Sequence, residues 1–240
     1  MRILLIGRGK MGRMLEDLLT AQGHTLLGAV GRGDKERLAA ADKADVVIDF
    51  SDPALLPDLA AYIRRTKSPL CCGTTGYSAE QQRILQELSA FAPVLYSANF
   101  SLGIALFRRI LSQVSPILLD GFDVEMVETH HNQKIDAPSG TAKLLADAVD
   151  PSGRLRRVYG RSGQCGKRAR DEMGIFSMRG GTVSGAHTVS FFGEDETFSI
   201  THSAASRRIF AAGALKAAAV LTEKPPGLYE LEDILFGGAE

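Results

Sequence analysis

An apolar tetrad, Ile3-Leu4-Leu5-Ile6, runs directly into Gly7-Arg8-Gly9-Lys10-Met11-Gly12, after which Met14, Leu15, Leu18 and Leu19 recur at helical intervals. A short continuous apolar run is the pattern of a strand buried on both faces, and the period that follows is that of an amphipathic helix. Strand, G-x-G-x-x-G, helix is the setting in which this glycine spacing binds a dinucleotide. Gly7 permits the tight turn, Gly9 lets a pyrophosphate approach the backbone, and Gly12 allows close helix–strand packing. The setting favours a nicotinamide cofactor over a glycine-rich turn that merely reverses the chain.

The units that follow extend the pattern. Leu26–Val30, Val46–Phe50, Leu70–Cys72 and Val94–Tyr96 read as further strands. Between them, Ser51-Asp52-Pro53 opens a helix with Leu55, Leu56, Leu59 and Ile63 inward, and Ser78 with Gln81 forms a capping box for a helix reaching Ala90. Alternating strands and helices predict a mostly parallel, Rossmann-type sheet with right-handed crossovers. The turns Gly73-Thr74-Thr75-Gly76 and Ser97-Ala98-Asn99-Phe100-Ser101 fall at strand C-termini, where such sheets bind ligands, and can hold the nicotinamide end. After the second strand stands Gly31-Arg32 instead of the acid that accepts from an NAD ribose. Arg32 can pair with a 2′-phosphate, with Arg8, Lys10 and Arg13 as further candidates, so NADPH is expected before NADH. Asp34 is close enough to be that acid displaced by a loop.

After Leu102 the pattern changes. A helix over Leu106–Val114 and a strand over Phe122–Glu128 precede the densest chemical stretch, Glu128-Thr-His-His-Asn-Gln-Lys-Ile-Asp-Ala-Pro-Ser-Gly-Thr141. Pro138 ahead of Ser139, Gly140 and Thr141 opens a helix whose first N–H groups favour a carboxylate or phosphate, and Lys134 adds a full charge. His130 or His131 can move a proton near neutral pH. Adjacent side chains on an extended chain point opposite ways, which suits divided labour. Glu128, His130 and His131 lack the two-turn spacing of a zinc site, so no metal is expected. Arg154–Arg170, rich in Arg and Gly, reads as a mobile solvated loop. Gly174–Met178, Thr182–Phe192 and Thr197–Ser203 read as strands of a mixed or antiparallel sheet, with His187 and His202 as structural residues. Arg207–Leu221 reads as a final helix. Two domains follow, residues 1–101 with 207–240 and residues 102–206, the second an α+β substrate-binding and oligomerisation domain.

Acidic and basic side chains balance at 28 each, which argues against a nucleic-acid binder. Cys71, Cys72 and Cys165 form neither a disulfide framework nor a metal spacing. No apolar run approaches the roughly 20 residues of a membrane span, and Ile3–Ile6 is too short for a signal-peptide core, so a cytoplasmic protein without a membrane partner is expected.

The chain resembles the 4-hydroxy-tetrahydrodipicolinate (dihydrodipicolinate) reductase family along essentially its whole length. The specific part is Glu128-x-His130-His131-x-x-Lys134-x-Asp136-Ala-Pro-Ser-Gly-Thr-Ala142. Arg179-Gly180-Gly181 and Ser206-Arg207-x-x-Phe210-Ala-x-Gly213 also match, as do the turns at Gly73 and Ser97. The resemblance implies a nicotinamide-dependent reduction of a small cyclic imine dicarboxylate in lysine and diaminopimelate biosynthesis. It puts His130 in the acid/base position and Lys134 in the proton-donor position. His131, Lys134, Ser139, Gly140 and Thr141 correspond to substrate contacts. Gly7, Arg8, Gly9, Lys10, Met11, Gly12, Gly73, Thr74, Thr75, Ser97, Ala98, Asn99 and Phe100 correspond to cofactor contacts. The family often carries an acid where Gly31 stands; its loss weakens the case for NADH and leaves NADPH use intact. A homotetramer assembled through the second domain's sheet is also implied. Two other readings remain at this stage: a catalytically silent nicotinamide-sensing regulator, and an oxidoreductase of open-chain amino acids.

Overall fold

The computed structural model describes residues 1–237. Strand β1 (Arg2–Ile6) leads into helix α1 (Lys10–Ala21), and β2 (Thr25–Val30), α2 (Lys35–Ala40) and β3 (Val46–Asp49) follow. A 3-10 turn over Pro53–Leu55, capped by the Asp52 carboxylate on the Ala54 N–H at 2.9 Å, precedes α3 (Leu56–Thr66). The Ser51–Pro53 start thus begins one turn tighter than an α-helix. Then come β4 (Leu70–Cys72), α4 (Ala79–Leu88) with both halves of the Ser78–Gln81 capping box formed, and β5 (Pro93–Tyr96).

Helix α5 (Leu102–Leu118) is longer at both ends than the apolar pattern over Leu106–Val114 predicts. It is followed by β6 (Asp123–His130), α6 (Gly140–Val149), β7 (Arg156–Val158), β8 (Glu172–Arg179), β9 (Gly185–Phe192) and β10 (Thr197–Ala204). Helix α7 (Arg208–Leu221), β11 (Gly227–Tyr229) and α8 (Leu231–Phe236) complete the described chain. The last two have no clear signal in the sequence: β11 spans three residues, too few for a period to register.

The chain divides into two compact units, Met1–Leu102 with the chain from Arg208 onward, and Gly103–Arg207. The first holds a six-stranded sheet in the order β11-β5-β4-β3-β1-β2, parallel at every pairing. β3 is buried on both faces, so Val46, Val47 and Ile48 need no alternation. Small residues let α7 come close: Ala211, Gly213, Ala214, Ala217 and Ala218 are all buried. A Cβ added at Gly213 would lie 1.8 Å from the Phe100 carbonyl oxygen.

The second unit holds a mixed five-stranded sheet in the order β10-β9-β6-β8-β7. β6 pairs parallel with β8 and antiparallel with β9. One face is a core in which Val124, Met126, Met173, Ile175, Val189 and Phe191 pack with Phe107 and Leu111 of α5 and Leu145 of α6. The opposite face carries Val127, Thr188 and Thr201 side by side, with the two threonine hydroxyls 3.0 Å apart. The basic stretch at Arg154–Arg170 is not the free loop that its composition predicts. It contributes β7, and Arg161 and Arg168 both bond the Glu125 carboxylate while Arg161 also reaches Glu172. Glycine and charge promise solvation only when no buried acid is near; here two acids on neighbouring strands recruit the guanidinium groups.

Gly213→Ala should overpack the contact with Phe100 and destabilise by about 1–3 kcal/mol. A lowered melting temperature in thermal unfolding would show it; an unchanged one would mean that α7 shifts freely.

Candidate active site

Strand β6 presents Val124, Met126, Glu128 and His130 to one face, and the alternation passes from apolar to ionisable halfway along. Glu128 is fully buried, so its carboxylate must find partners inside. Arg179 at the end of β8 supplies a two-pronged contact, Nη2 to Oε1 at 2.7 Å and Nη1 to Oε2 at 2.9 Å. The Ser139 N–H donates to Oε1 at 3.1 Å, and His130 Nδ1 lies 2.6 Å from Oε2. Burial alone drives Glu128 upward, but the hydrogen bonds from Arg179, Ser177, His130 and Ser139 outweigh it and hold the carboxyl at about 2. An ionised carboxylate only accepts, so the proton of this contact sits on His130 Nδ1. Nε2 is therefore the ring nitrogen turned away from that contact. A Cβ added at Gly185 would lie 3.0 Å from that Nε2, so the ring rests over bare backbone.

Ser139 is the N-cap of α6. Its Oγ accepts from the Ala142 N–H at 3.1 Å and lies 3.1 Å from His187 Nε2. Its backbone N–H and its hydroxyl are thus both engaged inside the protein, and Ser139 is buried while Gly140 is exposed. The first turn of α6 holds no acid, so the helix start at Gly140 and Thr141 presents its positive end. His131 lies on the opposite side of the extended chain from His130 and is half-buried. The following residues turn: the Lys134 N–H bonds the His131 carbonyl, and Lys134 Nζ meets Asp136 at 2.6 Å. That ammonium bond lowers Asp136 below the usual carboxylate range. The segment is anchored from behind, since Arg179 also bonds the Asp136 carbonyl and the Gly180 N–H bonds the His130 carbonyl.

In the sequence Glu128 stands as a possible metal ligand and as part of the family motif, Arg179 as a pattern match and His187 as a structural residue. The usable signal for Glu128 was its position: an acid two residues beyond Met126 on a buried face needs a cation. Nothing local points to Arg179 or His187, which reach Glu128 and Ser139 from other strands. Among the described residues no group of three or more His, Cys, Asp or Glu is arranged to hold a metal ion.

In the first unit, the candidate cofactor residues sit at the C-terminal ends of β1, β2, β4 and β5. Gly7 has φ +107°, and a Cβ there would lie 2.2 Å from the Phe50 carbonyl oxygen. One at Gly12 would lie 2.0 Å from the Gly7 carbonyl oxygen. Both glycines are required by the turn and by the close seating of α1. At Gly9 nothing among the described residues lies within 4 Å of an added Cβ, which is the open approach that a pyrophosphate needs. Lys10, Met11 and Gly12 form the first turn of α1, with no acidic residue there to repel an anion. Thr74 is buried and its Oγ1 accepts from the Ser51 N–H at 2.7 Å, whereas Thr75 is exposed. The Ser97 hydroxyl bonds the Asn99 carbonyl, Ala98 is exposed, and Phe100 is buried edge-on to Phe50 with ring centroids 5.5 Å apart. Of the four expected phosphate ligands, Arg32, Arg8, Lys10 and Arg13, two are ion-paired at the β2 end: Arg32 with Asp52, and Arg8 with Asp34 at 3.1 Å. Asp34 also accepts from the Gly31 N–H at 3.0 Å, which puts a carboxylate beside the position where the sequence lacks one.

Residues 1–100 match the family model "Dihydrodipicolinate reductase, N-terminus", and residues 103–235 match "Dihydrodipicolinate reductase, C-terminus". The chain is 43% identical to the 4-hydroxy-tetrahydrodipicolinate reductase of Exiguobacterium sp. (strain ATCC BAA-1283 / AT1b), covering 98% of this chain and 95% of the relative. It is 40% identical to that of Pseudomonas fluorescens (strain SBW25), over 98% of both. A dipicolinate-bound dihydrodipicolinate reductase from Paenisporosarcina sp. TG-14 shares the fold, with TM-score 0.77 at 21% identity over 95% of this chain and 97% of the other. No helix among the described residues is long and apolar enough to cross a membrane.

Acid should unfold this unit in two overlapping windows. Burial foremost, then the neighbouring His130, push His187 down to about 4 from its ordinary 6.5. Its contribution is therefore complete above about pH 6.5 and is lost as pH falls through 4. Glu128, held at about 2 against an ordinary 4.5, contributes above 4.5 and is lost as pH falls through 2. Denaturant melts across pH should show stability falling through both windows. His187→Gln should flatten the upper one alone; an unaltered slope there would remove His187 as its source.

Proposed function

The chain belongs to the dihydrodipicolinate reductase family, and from that premise we infer that it reduces 4-hydroxy-tetrahydrodipicolinate to tetrahydrodipicolinate with a reduced nicotinamide dinucleotide, a step of lysine and diaminopimelate biosynthesis. The observation that carries the residue assignments is the Glu128–His130 contact of 2.6 Å beside the start of α6. The cofactor, when bound, is the source of the hydride. Hydride addition to a conjugated ring carbon leaves electron density that a proton must meet. His130 is assigned the acid/base role, with Glu128 keeping one proton on Nδ1 so that exchange with the substrate passes through Nε2. Lys134 is assigned as the second proton source and as a grip on one substrate carboxylate, which competes with Asp136 for the ammonium. The Gly140 and Thr141 N–H groups receive the other carboxylate, with His131 beside them. Ser139 serves by holding that helix start in place, since its own polar atoms are already bonded.

Gly7 through Gly12 are assigned to the pyrophosphate, and Gly73–Thr75 and Ser97–Phe100 to the nicotinamide end, Phe100 by its backbone. NADPH is the proposed cofactor, with Arg8 and Arg32 released from their acids to meet the 2′-phosphate. Asp34 provides for NADH as well, since its carboxylate can accept from a ribose hydroxyl. The proposed setting is the cytoplasm. The proposed assembly is a homotetramer through the open face of the second sheet, where Val127 and Met178 are exposed on neighbouring strands. Sedimentation at several concentrations tests that assembly, and a monomer throughout would remove it. A regulator without turnover is disfavoured by the intact His130 and Lys134, and an open-chain substrate by the Lys134–Thr141 motif.

Supplying substrate in situ from pyruvate and aspartate semialdehyde with the preceding synthase, and following cofactor absorbance, tests the reaction. His130→Ala and Lys134→Ala should each lower kcat by roughly 10²–10⁴; wild-type turnover in both would refute the assignments. Arg32→Ala should raise KM for NADPH more than for NADH, and Asp34→Ala should do the reverse. Equal effects on both cofactors would take these residues out of the ribose site.

A further inference from the structure

His187 stands where three parts of the site meet. It lies on β9 directly opposite Glu128 on β6, and only 4% of it is exposed. Its Nε2 is 3.1 Å from Ser139 Oγ, and its ring meets the His130 ring edge-on, with centroids 5.2 Å apart and planes at 76°. Its Nδ1 is buried with no hydrogen-bond partner among the described residues.

Counting donors and acceptors decides how this imidazole is used. Ser139 Oγ already accepts from the Ala142 N–H, and Ser139 is 2% exposed, so its hydroxyl proton needs an acceptor inside the protein. If Ser139 donates to Nε2, one buried donor, Nδ1–H, stays unpaired. If His187 donates instead, both the serine proton and the Nδ1 lone pair are stranded. A cationic His187 would strand two N–H or O–H donors and bury a charge beside His130. The first arrangement leaves the least unsatisfied, so His187 is neutral and accepts from Ser139.

We propose that His187 is a positioning residue, which accepts the Ser139 hydroxyl and bears against the His130 ring, and so holds the anion-binding start of α6 at a fixed distance from the acid/base imidazole. The loop between His130 and Ser139 makes this tie necessary. Besides it, the Ser139 N–H bond to Glu128 joins the helix start to the acid/base pair. Gly185, two residues earlier on the same face of β9, completes the floor: its missing Cβ leaves His130 Nε2 clear. His187 touches neither reacting partner in this account; it sets where two groups that do touch them stand. The role rests on the assignment of His130 and α6 made above.

His187→Leu, His187→Gln and His187→Asn test it. Gln can carry an amide oxygen to the place of Nε2 and accept from Ser139; Asn is too short. His187→Leu and His187→Asn should lower kcat/KM for the imine dicarboxylate about 10- to 100-fold, the scale of a small misplacement, with KM for the nicotinamide nucleotide unchanged. His187→Gln should recover most of the loss. In the double variant with Ser139→Ala, the loss should not exceed that of the worse single variant, because both remove one tie. Wild-type kcat/KM in His187→Leu, equal impairment of the Gln and Asn variants, or multiplying losses in the double variant would each overturn the proposal. Should the Leu variant fail to fold, the Gln–Asn comparison decides. A readout without substrate separates this proposal from the reductase reading. The Nδ1–H proton of His130, bonded to Glu128, should give a downfield, slowly exchanging NMR signal in the unliganded wild type and in His187→Gln. It should be lost to exchange in His187→Asn, and its survival there would overturn the proposal even if the wild type reduced nothing.

Discussion

A single carboxylate taken wholly out of water organises the second unit. Isolated, the Glu128 charge would cost several kcal/mol. It is held ionised because a guanidinium, an imidazole and a backbone N–H converge on its two oxygens. Those groups come from β8, from β6 itself and from the start of α6, so the acid draws three segments to one point. A nonpolar residue there would have suited the core formed by Val124 and Met126. The charge instead orients an imidazole, and the proposed proton transfer rests on that orientation. The balance is delicate in one direction: removing one partner of a buried pair leaves the other uncompensated, at about 3–5 kcal/mol.

The first unit is built for its proposed ligand by different means. At Gly7, Gly9 and Gly12 the chain offers backbone, and what matters is where side chains are missing. The helix start supplies partial positive charge without a titrating group, so anion binding there is insensitive to pH over the physiological range. The side chains at the β2 end stand in matched ion pairs, Arg8 with Asp34 and Arg32 with Asp52. Such exposed pairs are weak, so a ligand phosphate can separate them. Arg32, read from the sequence as able to pair with a 2′-phosphate, stands at the end of β2 with Asp52 as its partner.

Local chemistry was legible wherever it is decided by neighbours in the chain. The Ser78–Gln81 capping box and the Ser139 cap formed where the residues stood, because a cap needs only the next turn of backbone. The buried parallel strands were legible from unbroken apolar runs. Readings failed where a distant residue decided. Arg161 and Arg168 looked solvated until Glu125 and Glu172 appeared beside them. Strand β6 continues through His130, two residues past the apparent end of its pattern, because pairing with β8 outlasts the apolar residues. β11 owes its existence to the free edge of β5.

The sequence by itself determined the class of both sheets, the glycine loop, the helix that opens at Ser139, and the presence of His130 and Lys134 within a few residues of it. Those features follow from periodicity, turn chemistry and caps, all of which act over a handful of residues. Only the tertiary structure decided which nitrogen of His130 faces Glu128, that Arg179 pairs with Glu128, and that His187 lies against both His130 and Ser139. Each of these depends on strand register, which sets residues some 50 positions apart side by side. A single chain read in order contains no local term for such a pairing.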